Sequence, residues 1–462
     1  MQRHRAIRYW IALGTLALPA VAGAQGFGLN EISTCGIGRA FAATATGCHD
    51  ASTVYWNPAA ATTLSGWSIL VGAASIAING KFVRDTTFQT YKGDVPTATV
   101  PHFFLNHHAA GSRFAWGIGA YVPYGLTSQW KDDFPGRFSA KKASLQTLYV
   151  QPNVAWQLND RVSIGGGPVI GHSSVELVQG VDLSTTTVTG QTFTFAAFGI
   201  PKYTEFARAK LKGDAWGFGA HLGTQIKLTP TWTAGLRVLT PVKFNYDDAD
   251  ATFTPVTTGL VFGGTVPPSI PAGTSVDALV APAFATGGPL VSQKVKTSIT
   301  HPAQVQLGFA FTGFTNWELE GDYAWIGYKS FKELKVDFAN GSTPDRVLIE
   351  DYNNSSGIRL TAERRFTNDI RIRAGFAGVA AAAPDVTVTP LLPEQDRTNY
   401  GIGATVPFGS FAFDVAYLRV QAAGRRGRID ERTTRTQTAD QLNSGVYSLN
   451  ANIFSLSLKA SF

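Results

Sequence analysis

Three stretches in the last third of the chain limit what it can fold into more than any other feature. In Trp317–Trp325 one parity carries Trp317, Leu319, Tyr323 and Trp325, and the other Glu318, Glu320 and Asp322. In Ile358–Phe366 the faces are Ile358, Leu360 and Ala362 against Arg359, Glu363 and Arg365. In Ile370–Phe376 they are Ile370, Ile372 and Phe376 against Arg371 and Arg373. Period-two alternation is the signature of a β-strand, whose successive side chains point to opposite faces. A soluble sandwich would put the charges outside and the aromatics within. A membrane barrel reverses this, because a charge facing lipid costs about 2–4 kcal/mol at mid-depth. Facing a lumen, the acidic and basic residues of adjacent strands can pair.

The same alternation recurs along the chain. Trp67, Ile69, Val71 and Ala73 open a first strand, and Thr99–Asn106 makes a second whose phase is ambiguous. Phe114, Trp116, Ile118, Ala120 and Val122 give a third; Leu148, Val150, Val154 and Trp156 a fourth; Val162, Ile164 and Ile170 a fifth. Trp216–Ile226, Trp232–Val238 and Val305–Phe311 supply the sixth to eighth, and the three charged strands the ninth to eleventh. Tyr400–Val406, Phe411–Tyr417 and Phe454–Phe462 complete a set of fourteen. Short connections, such as 158–161 and 366–369, alternate with long ones near 79–96, 124–143, 173–206, 247–292, 328–352, 380–395 and 421–446. Short periplasmic turns and long external loops produce that pattern, and an even strand number puts both termini in the periplasm. The fold expected is an all-β membrane protein, a 14-stranded antiparallel outer-membrane barrel. A last strand ending on Phe462 fits the signal read by the barrel assembly machinery.

The start of the chain carries an export address. Arg3, Arg5 and Arg8 precede an apolar Ile11–Leu18, and Ala22-Gly23-Ala24 offers small residues for cleavage, so residues 1–24 read as a signal peptide. An uncleaved anchor is the alternative. No later apolar run is long enough for a spanning helix. Charged residues make up 15% of the chain, where a soluble protein carries about a quarter. The net charge of +7 includes three leader arginines, and no nucleic-acid motif accompanies it.

Between leader and first strand lies Gln25–Thr63, rich in small residues and glycine, without strand alternation or a helical stripe. It contains Gly26-Phe27-Gly28-Leu29-Asn30-Glu31, Gly36-Ile37-Gly38-Arg39-Ala40-Phe41, Asp50-Ala51-Ser52-Thr53 and Asn57-Pro58-Ala59. Together these blocks resemble the N-terminal hatch of the FadL family, outer-membrane channels for long-chain fatty acids and other hydrophobic compounds. Further blocks are similar: Pro123-Tyr124-Gly125-Leu126 with Trp130, Lys210–Gly217, Pro302-Ala303-Gln304-Val305 and Leu392–Arg397. The resemblance implies a hatch over 25–64 inside a barrel over 65–462. Cys35 and Cys48, the only cysteines, both fall in the hatch; an exported pair reads as a disulfide or as two buried thiols. Glu31, Arg39 or Asp50 are hatch residues for the lumenal charges to hold.

The resemblance also implies passive uptake of hydrophobic small molecules, long-chain fatty acids or hydrocarbons, by a monomeric channel without cofactor or catalysis. Capture falls to the apolar outer-loop residues Phe193, Phe195, Phe198 and Ile200, and the path to the hatch residues Phe27 and Leu29. Sideways exit falls to a gap in strand three, where Gly117, Gly119, Pro123 and Gly125 weaken the ladder, with Asn57, Pro58 and Ala59 behind it. Gly171–Glu176 departs from the basic residues of fatty-acid members, which puts a neutral ligand beside a carboxylate. Uptake of aromatic hydrocarbons specifically, a polar-solute porin and a surface-binding protein are the other readings. No Gly-x-Ser-x-Gly elbow, HExxH or spaced metal-ligand set is present; His107-His108 read as a turn cap. Arg425, Arg426, Arg428, Arg432 and Arg435 form a basic outer loop, solvated or touching lipopolysaccharide phosphates. The partners expected are therefore the substrate, outer-membrane lipid with lipopolysaccharide, and the assembly machinery, with no nucleic acid.

Overall fold

The computed structural model describes residues 26–188, 192–266, 270–341, 343–427 and 443–462. The leader at 1–24, Gln25, and Arg428, Arg432 and Arg435 of the basic loop lie outside the described residues. The alternating segments close into one antiparallel barrel of fourteen wall strands. In chain order these are β1 (Gly66–Arg84), β2 (Ala98–His108), β3 (Phe114–Tyr121 with Gly125–Gln129), β4 (Lys142–Gln157), β5 (Val162–Asp182), β6 (Glu205–Lys227) and β7 (Trp232–Leu239 with Val242–Pro255). The second half comprises β8 (Gln293–His301 with Gln304–Phe311), β9 (Trp317–Ile326 with Glu333–Phe338), β10 (Arg346–Ile349 with Ser355–Arg365), β11 (Arg371–Val379), β12 (Arg397–Phe408), β13 (Phe411–Ala422) and β14 (Gly445–Ser461). β14 pairs with β1 from Ser68↔Ser461 to Arg84↔Gly445, which leaves no free sheet edge there.

Parity separates lipid from lumen as the alternation requires. Trp216, Phe309, Ile358 and Leu456 are exposed on the outer face, while Gln306, Glu320, Asp322, Arg359 and Arg373 are buried inside. The ambiguous β2 turns Val100, His102, Phe104 and Asn106 inward. Several strands run further than their apolar alternation: β1 reaches Arg84, β5 Asp182 and β7 Pro255. Above the lipid the outer face meets water, so apolar residues stop while the hydrogen-bonded ladder continues. The connections expected at 79–96, 173–206 and 247–292 are shorter for that reason.

Five strands break midway. Pro123, Pro241 and Pro302 occupy three of the breaks, each lacking the N–H that a ladder needs. The others, at 327–332 in β9 and 350–354 in β10, carry Tyr328, Phe331 and Tyr352 into the interior. The outer loops add their own small core, in which Val188, Phe195, Ile200, Phe206, Phe262 and Val276 pack together.

The segment before β1 fills the lumen. It contains α1 (Thr34–Gly38), α2 (Thr53–Trp56) and one-turn 3-10 segments at Gly47–His49 and Pro58–Thr63. Ser33 Oγ accepts from Gly36 N (3.2 Å) at the start of α1 and from Trp56 Nε1 (2.9 Å) of α2, tying the two short helices together. Cys35 and Cys48 are joined by a disulfide, with Cα atoms 6.1 Å apart. Wall glycines face this segment where its backbone touches the barrel. A Cβ on Gly235 would collide with the Thr44 carbonyl, and one on Gly375 with the main chain of Arg39.

Candidate functional site

The inner segment is held by a buried charge ladder. Arg39 Nη2 lies 2.7 Å from Glu318 and 3.0 Å from Glu363, and Nη1 lies 3.4 Å from Glu320, with the arginine side chain fully buried. Arg373 continues the row to Glu363 (3.5 Å) and Asp414 (3.0 Å). Lys459 joins Asp414 (2.6 Å) to Asp50 of the segment (2.7 Å). Asp322 Oδ2 accepts from the backbone N–H groups of Ala43 and Thr44, both at 3.0 Å. Arg359 donates to Phe41 O (3.1 Å) and Asn30 Oδ1 (3.2 Å). Glu31 instead accepts from the N–H of Asn30 (2.9 Å). Arg365 lies apart from the row, at the β10–β11 turn, where it pairs with Asp369 (2.6 Å). Arg371 reaches Glu363 (3.5 Å) from the rim.

Opposite this anchor the wall is open. β2 and β3 pair only from His108↔Ala115 to Phe103↔Ala120. Above the break at 122–124, Gly125–Gln129 pairs with β4 on its other side. On the open side the first residues of the inner segment take the place of a strand. Leu29 N donates to Pro123 O (2.9 Å), Gly125 N donates to Phe27 O (2.9 Å), and Gly28 bridges Tyr124. The window is closed above by Asp94 N donating to Gln129 O (2.8 Å) and a bridge between Gly93 and Trp130.

Two cavities meet this region. An inner cavity of about 610 Å³ is lined by lumenal Leu29, Ile76, Val100, Leu126 and Leu145, and also by Gln146, Leu148, His172 and Ser174 of the outward parity. It therefore communicates from lumen to outer wall face. An outer cavity of about 800 Å³ lies under the external loops, lined by Phe138, Leu177, Phe195, Leu211, Phe253, Leu279 and Leu348. Leu391 lines the outer cavity and Leu392 the inner, so the loop before β12 divides them. That loop is pinned by Ser128 Oγ donating to Pro390 O (2.6 Å) and Trp130 Nε1 donating to the same oxygen (3.2 Å).

Charge at the outer cavity is uneven. Lys142 (2.9 Å) and Lys210 (3.7 Å) are both tied to Glu176, and the Lys142 hydrogen bond holds the Glu176 carboxyl below its ordinary range. Arg346 lines the cavity from the face it shares with its partner Val336. Its guanidinium is exposed to water.

The residues singled out from the sequence separate on inspection. Phe27 packs its ring against Tyr124, His301, Tyr328 and Phe331, with centroids 5.3–6.0 Å apart. Leu29 and Gly125 line the inner cavity, and Pro123 sits in the break. Gly117 and Gly119 lie lower, in the intact ladder, where a Cβ would press on Val54, Leu105 O or Phe104. Asn57, Pro58 and Ala59 lie away from the window, against Gly165 of β5 and Gly223 of β6, with Asn153 Nδ2 donating to Pro58 O (3.3 Å). Gly165 and Gly223 leave room for this turn against β5 and β6, not at the expected place behind the gap. Of the four outer-loop residues, Phe195 lines the outer cavity, Ile200 and Phe198 pack into the loop core, and Phe193 points to solvent. The aromatic clamp on Phe27, the Pro390 partition and Arg346 were missed by the alternation, because all three sit where it is interrupted. His108 does cap a turn: its ring nitrogens lie 2.7 Å from Leu64 O and 2.8 Å from Ser112 O. Arg425 and Arg426 of the basic loop are paired with Asp385 (2.7 Å) and with Asp85, respectively.

A fourteen-stranded outer-membrane barrel, filled by its own N-terminal segment and breached on one side, is a hatched channel wall. The chain belongs to the family described as outer membrane protein transport protein (OMPP1/FadL/TodX), matched over residues 15–462. It is 25% identical over 423 residues to a long-chain fatty acid transport protein of Escherichia coli O6:H1, covering 87% of this chain and 88% of that one. In structure it is similar to a Pseudomonas aeruginosa FadL homologue, with TM-score 0.76, 21% identity, and coverage of 95% of this chain and 100% of that one. It is also similar to the Pseudomonas putida toluene transporter TodX, with TM-score 0.65, 14% identity, and coverage of 95% and 100%.

Proposed function

We propose that this chain passes hydrophobic small molecules passively across the outer membrane, as an enzyme-free route that leaves its cargo unchanged. Ligand collects in the outer cavity, moves past the Pro390 partition to the inner cavity beside Phe27-Gly28-Leu29, and leaves sideways between β2 and β3. The observation that carries this reading is the inner cavity itself, bounded by lumenal and outward residues alike. In this reading residues 1–24 are a removed leader, 25–64 the hatch and 65–462 the barrel, acting as a monomer. Phe462 ends the strand offered to the assembly machinery, and lipopolysaccharide surrounds the outer rim.

The names of the relatives span fatty acids and toluene. A long-chain carboxylate is the first reading here, supported by Arg346 in an apolar cavity with no carboxylate ion pair among the described residues. A carboxylate there would form a charge-assisted bond with the guanidinium. A neutral hydrocarbon is the second reading, supported by the capture of Lys142 and Lys210 by Glu176. Binding of palmitate and of hexadecanol to wild type and Arg346→Gln separates them. The first reading expects palmitate affinity to fall about tenfold, the scale of one charged hydrogen bond, with hexadecanol unaffected. Equal palmitate binding by both proteins overturns it in favour of the second. Failure of wild type to bind either compound, or to admit them into cells, overturns the transport reading.

A further inference from the structure

The outward face of the upper wall carries many charges, and most of them cancel. Lys294 holds Asp250 (2.8 Å) and Asp248 (3.4 Å), and Lys335 holds Glu333 (3.2 Å). Lys296 stands opposite Asp337 in register. One row lower the balance fails. Lys243 on β7, and Lys329 and Lys332 in the β9 break, are exposed and have no ion pair among the described residues. Glu333, the acid nearest to Lys329 and Lys332 in sequence, is the one taken by Lys335, and Asp247, the acid nearest to Lys243, makes no ion pair with it.

Topology brings these three lysines to one level. Lys243 pairs with Thr300 of β8. Thr300 lies in the interval between Thr297↔Val336 and Gln304↔Ile326, where β8 and β9 lose their ladder. Lys329 and Lys332 fall in the same interval on β9. There the chain turns Tyr328 and Phe331 inward against Phe27, which leaves Lys329 and Lys332 for the outer side. Just below, Tyr323 and Trp325 on β9 face outward, as the aromatic girdle at the lipid–water boundary does. The external side is fixed by the long loops. The lysines therefore stand at headgroup height in the outer leaflet, with Lys329 N donating to Asn354 Oδ1 (3.0 Å), Ser330 next in the chain, and the N–H groups of Glu350 and Asp351 donating to Lys332 O (both 2.8 Å).

We propose that Lys243, Lys329 and Lys332 form a binding site for the phosphorylated headgroup of an outer-leaflet glycolipid of the lipid A type. Unpaired ammonium groups at this height are matched by phosphate, which anchors there by its own acyl chains and needs no pocket in the protein. The Asn and Ser side chains suit the sugar hydroxyls. The site shares nothing with the transport path and does not depend on which ligand is carried. It does lie behind the aromatic clamp on Phe27, so a bound lipid would brace the wall where the hatch begins.

The test is native mass spectrometry of the delipidated full-length barrel titrated with diphosphoryl lipid A or with the same lipid stripped of both phosphates. Wild type is expected to bind the diphosphoryl form, and the K243Q/K329Q/K332Q variant roughly tenfold or more weakly. The dephosphorylated lipid should bind wild type no better than the variant binds the intact one. Removal of equal charge from the outer loops, in K92Q/K131Q/K202Q, should leave affinity unchanged. Undiminished binding by the first variant, equal loss in the loop control, or equal binding of the dephosphorylated lipid would each overturn the proposal. If the triple variant fails to fold, judged by its heat-modifiable gel mobility, K243Q and K332Q are measured singly. Wild-type affinity in both overturns it, and a fall in each supports it.

Discussion

Replacement of Arg39 by methionine is the most direct perturbation of the hatch. The substitution keeps much of the apolar stem and deletes the guanidinium that touches Glu318, Glu320 and Glu363. Removing one partner of a buried ion pair costs about 3–5 kcal/mol, because the other charge is left uncompensated. Here three carboxylates lose one shared cation. Arg373 and Arg371 still reach Glu363, and His49 Nε2 still reaches Glu318 (2.6 Å), so the loss falls chiefly on Glu320. At 1.36 kcal/mol per decade, that cost raises the undocked-to-docked ratio of the hatch by roughly two to nearly four orders of magnitude. The wall need not unfold, since β1–β14 closure and the other ladders are untouched. Single barrels in planar bilayers should therefore show new open events and admit sugars, with heat-modifiable mobility preserved. Adding Glu318→Gln and Glu320→Gln to Arg39→Met should recover part of the closed state, because neutral amides cost less to bury unpaired. Closed wild-type conductance in Arg39→Met would refute the claim that this ladder docks the hatch. Failure of the amides to restore any closure would refute unpaired charge as the cause.

Other consequences are smaller in scope. Alkylation of the denatured, unreduced protein should label neither Cys35 nor Cys48, and two labelled thiols would show that the hatch disulfide does not form. Cysteines at Pro101 and Val122, just above the last β2–β3 pair, should crosslink the window and abolish hydrophobic uptake in a folded barrel. Uptake at the unmodified rate with the crosslink complete would leave a route straight through a displaced hatch. Gly235→Val should loosen the hatch around Thr44, raising sugar permeability as Arg39→Met does; a tight, wild-type barrel would show that Thr44 yields instead.

The barrel was legible because lipid imposes a rule that sequence cannot evade. Glu318, Glu320 and Asp322 alternate with aromatics, and only a lumen accepts them, so the inner face of β9 follows from burial cost alone. Partners for Arg39 followed less directly: the charges announced a lumenal ladder, but the pairing of hatch to wall depends on glycines, such as Gly235 and Gly375, that allow backbone contact at one height. The window was half legible. Pro123 marks a break by its missing N–H, but Gly117 and Gly119 carry the same residue type for a different purpose, namely room for Val54 and Phe104. Asn57-Pro58-Ala59 was placed wrongly because a local motif does not state which wall it meets. Arg346, Pro390 and the Phe27 clamp lie in breaks and loops, where period-two patterning carries no information and position is set by packing.

The division between the two cavities bears on how transport can remain passive yet selective. Pro390 O accepts from both Ser128, in the upper half of β3, and Trp130, just beyond it, while Leu391 and Leu392 line different cavities. A few residues further on, Glu394 accepts from the N–H groups of Ala382 (2.9 Å) and Ala383 (2.6 Å) and from that of Gly26, at the start of the described hatch. One loop thus touches the partition, the window strand and the hatch N-terminus together. On the proposed route, ligand entering the inner cavity would displace side chains held by these bonds, and the same displacement would act on Gly26–Leu29, which fills the open edge of β3. Because the Arg39 ladder anchors the rest of the hatch on the opposite wall, movement confined to the first few residues would open the window without opening the pore. Polar solutes, which gain nothing from an apolar cavity, would then find no route, and a hydrophobic ligand would bring about its own exit into the membrane.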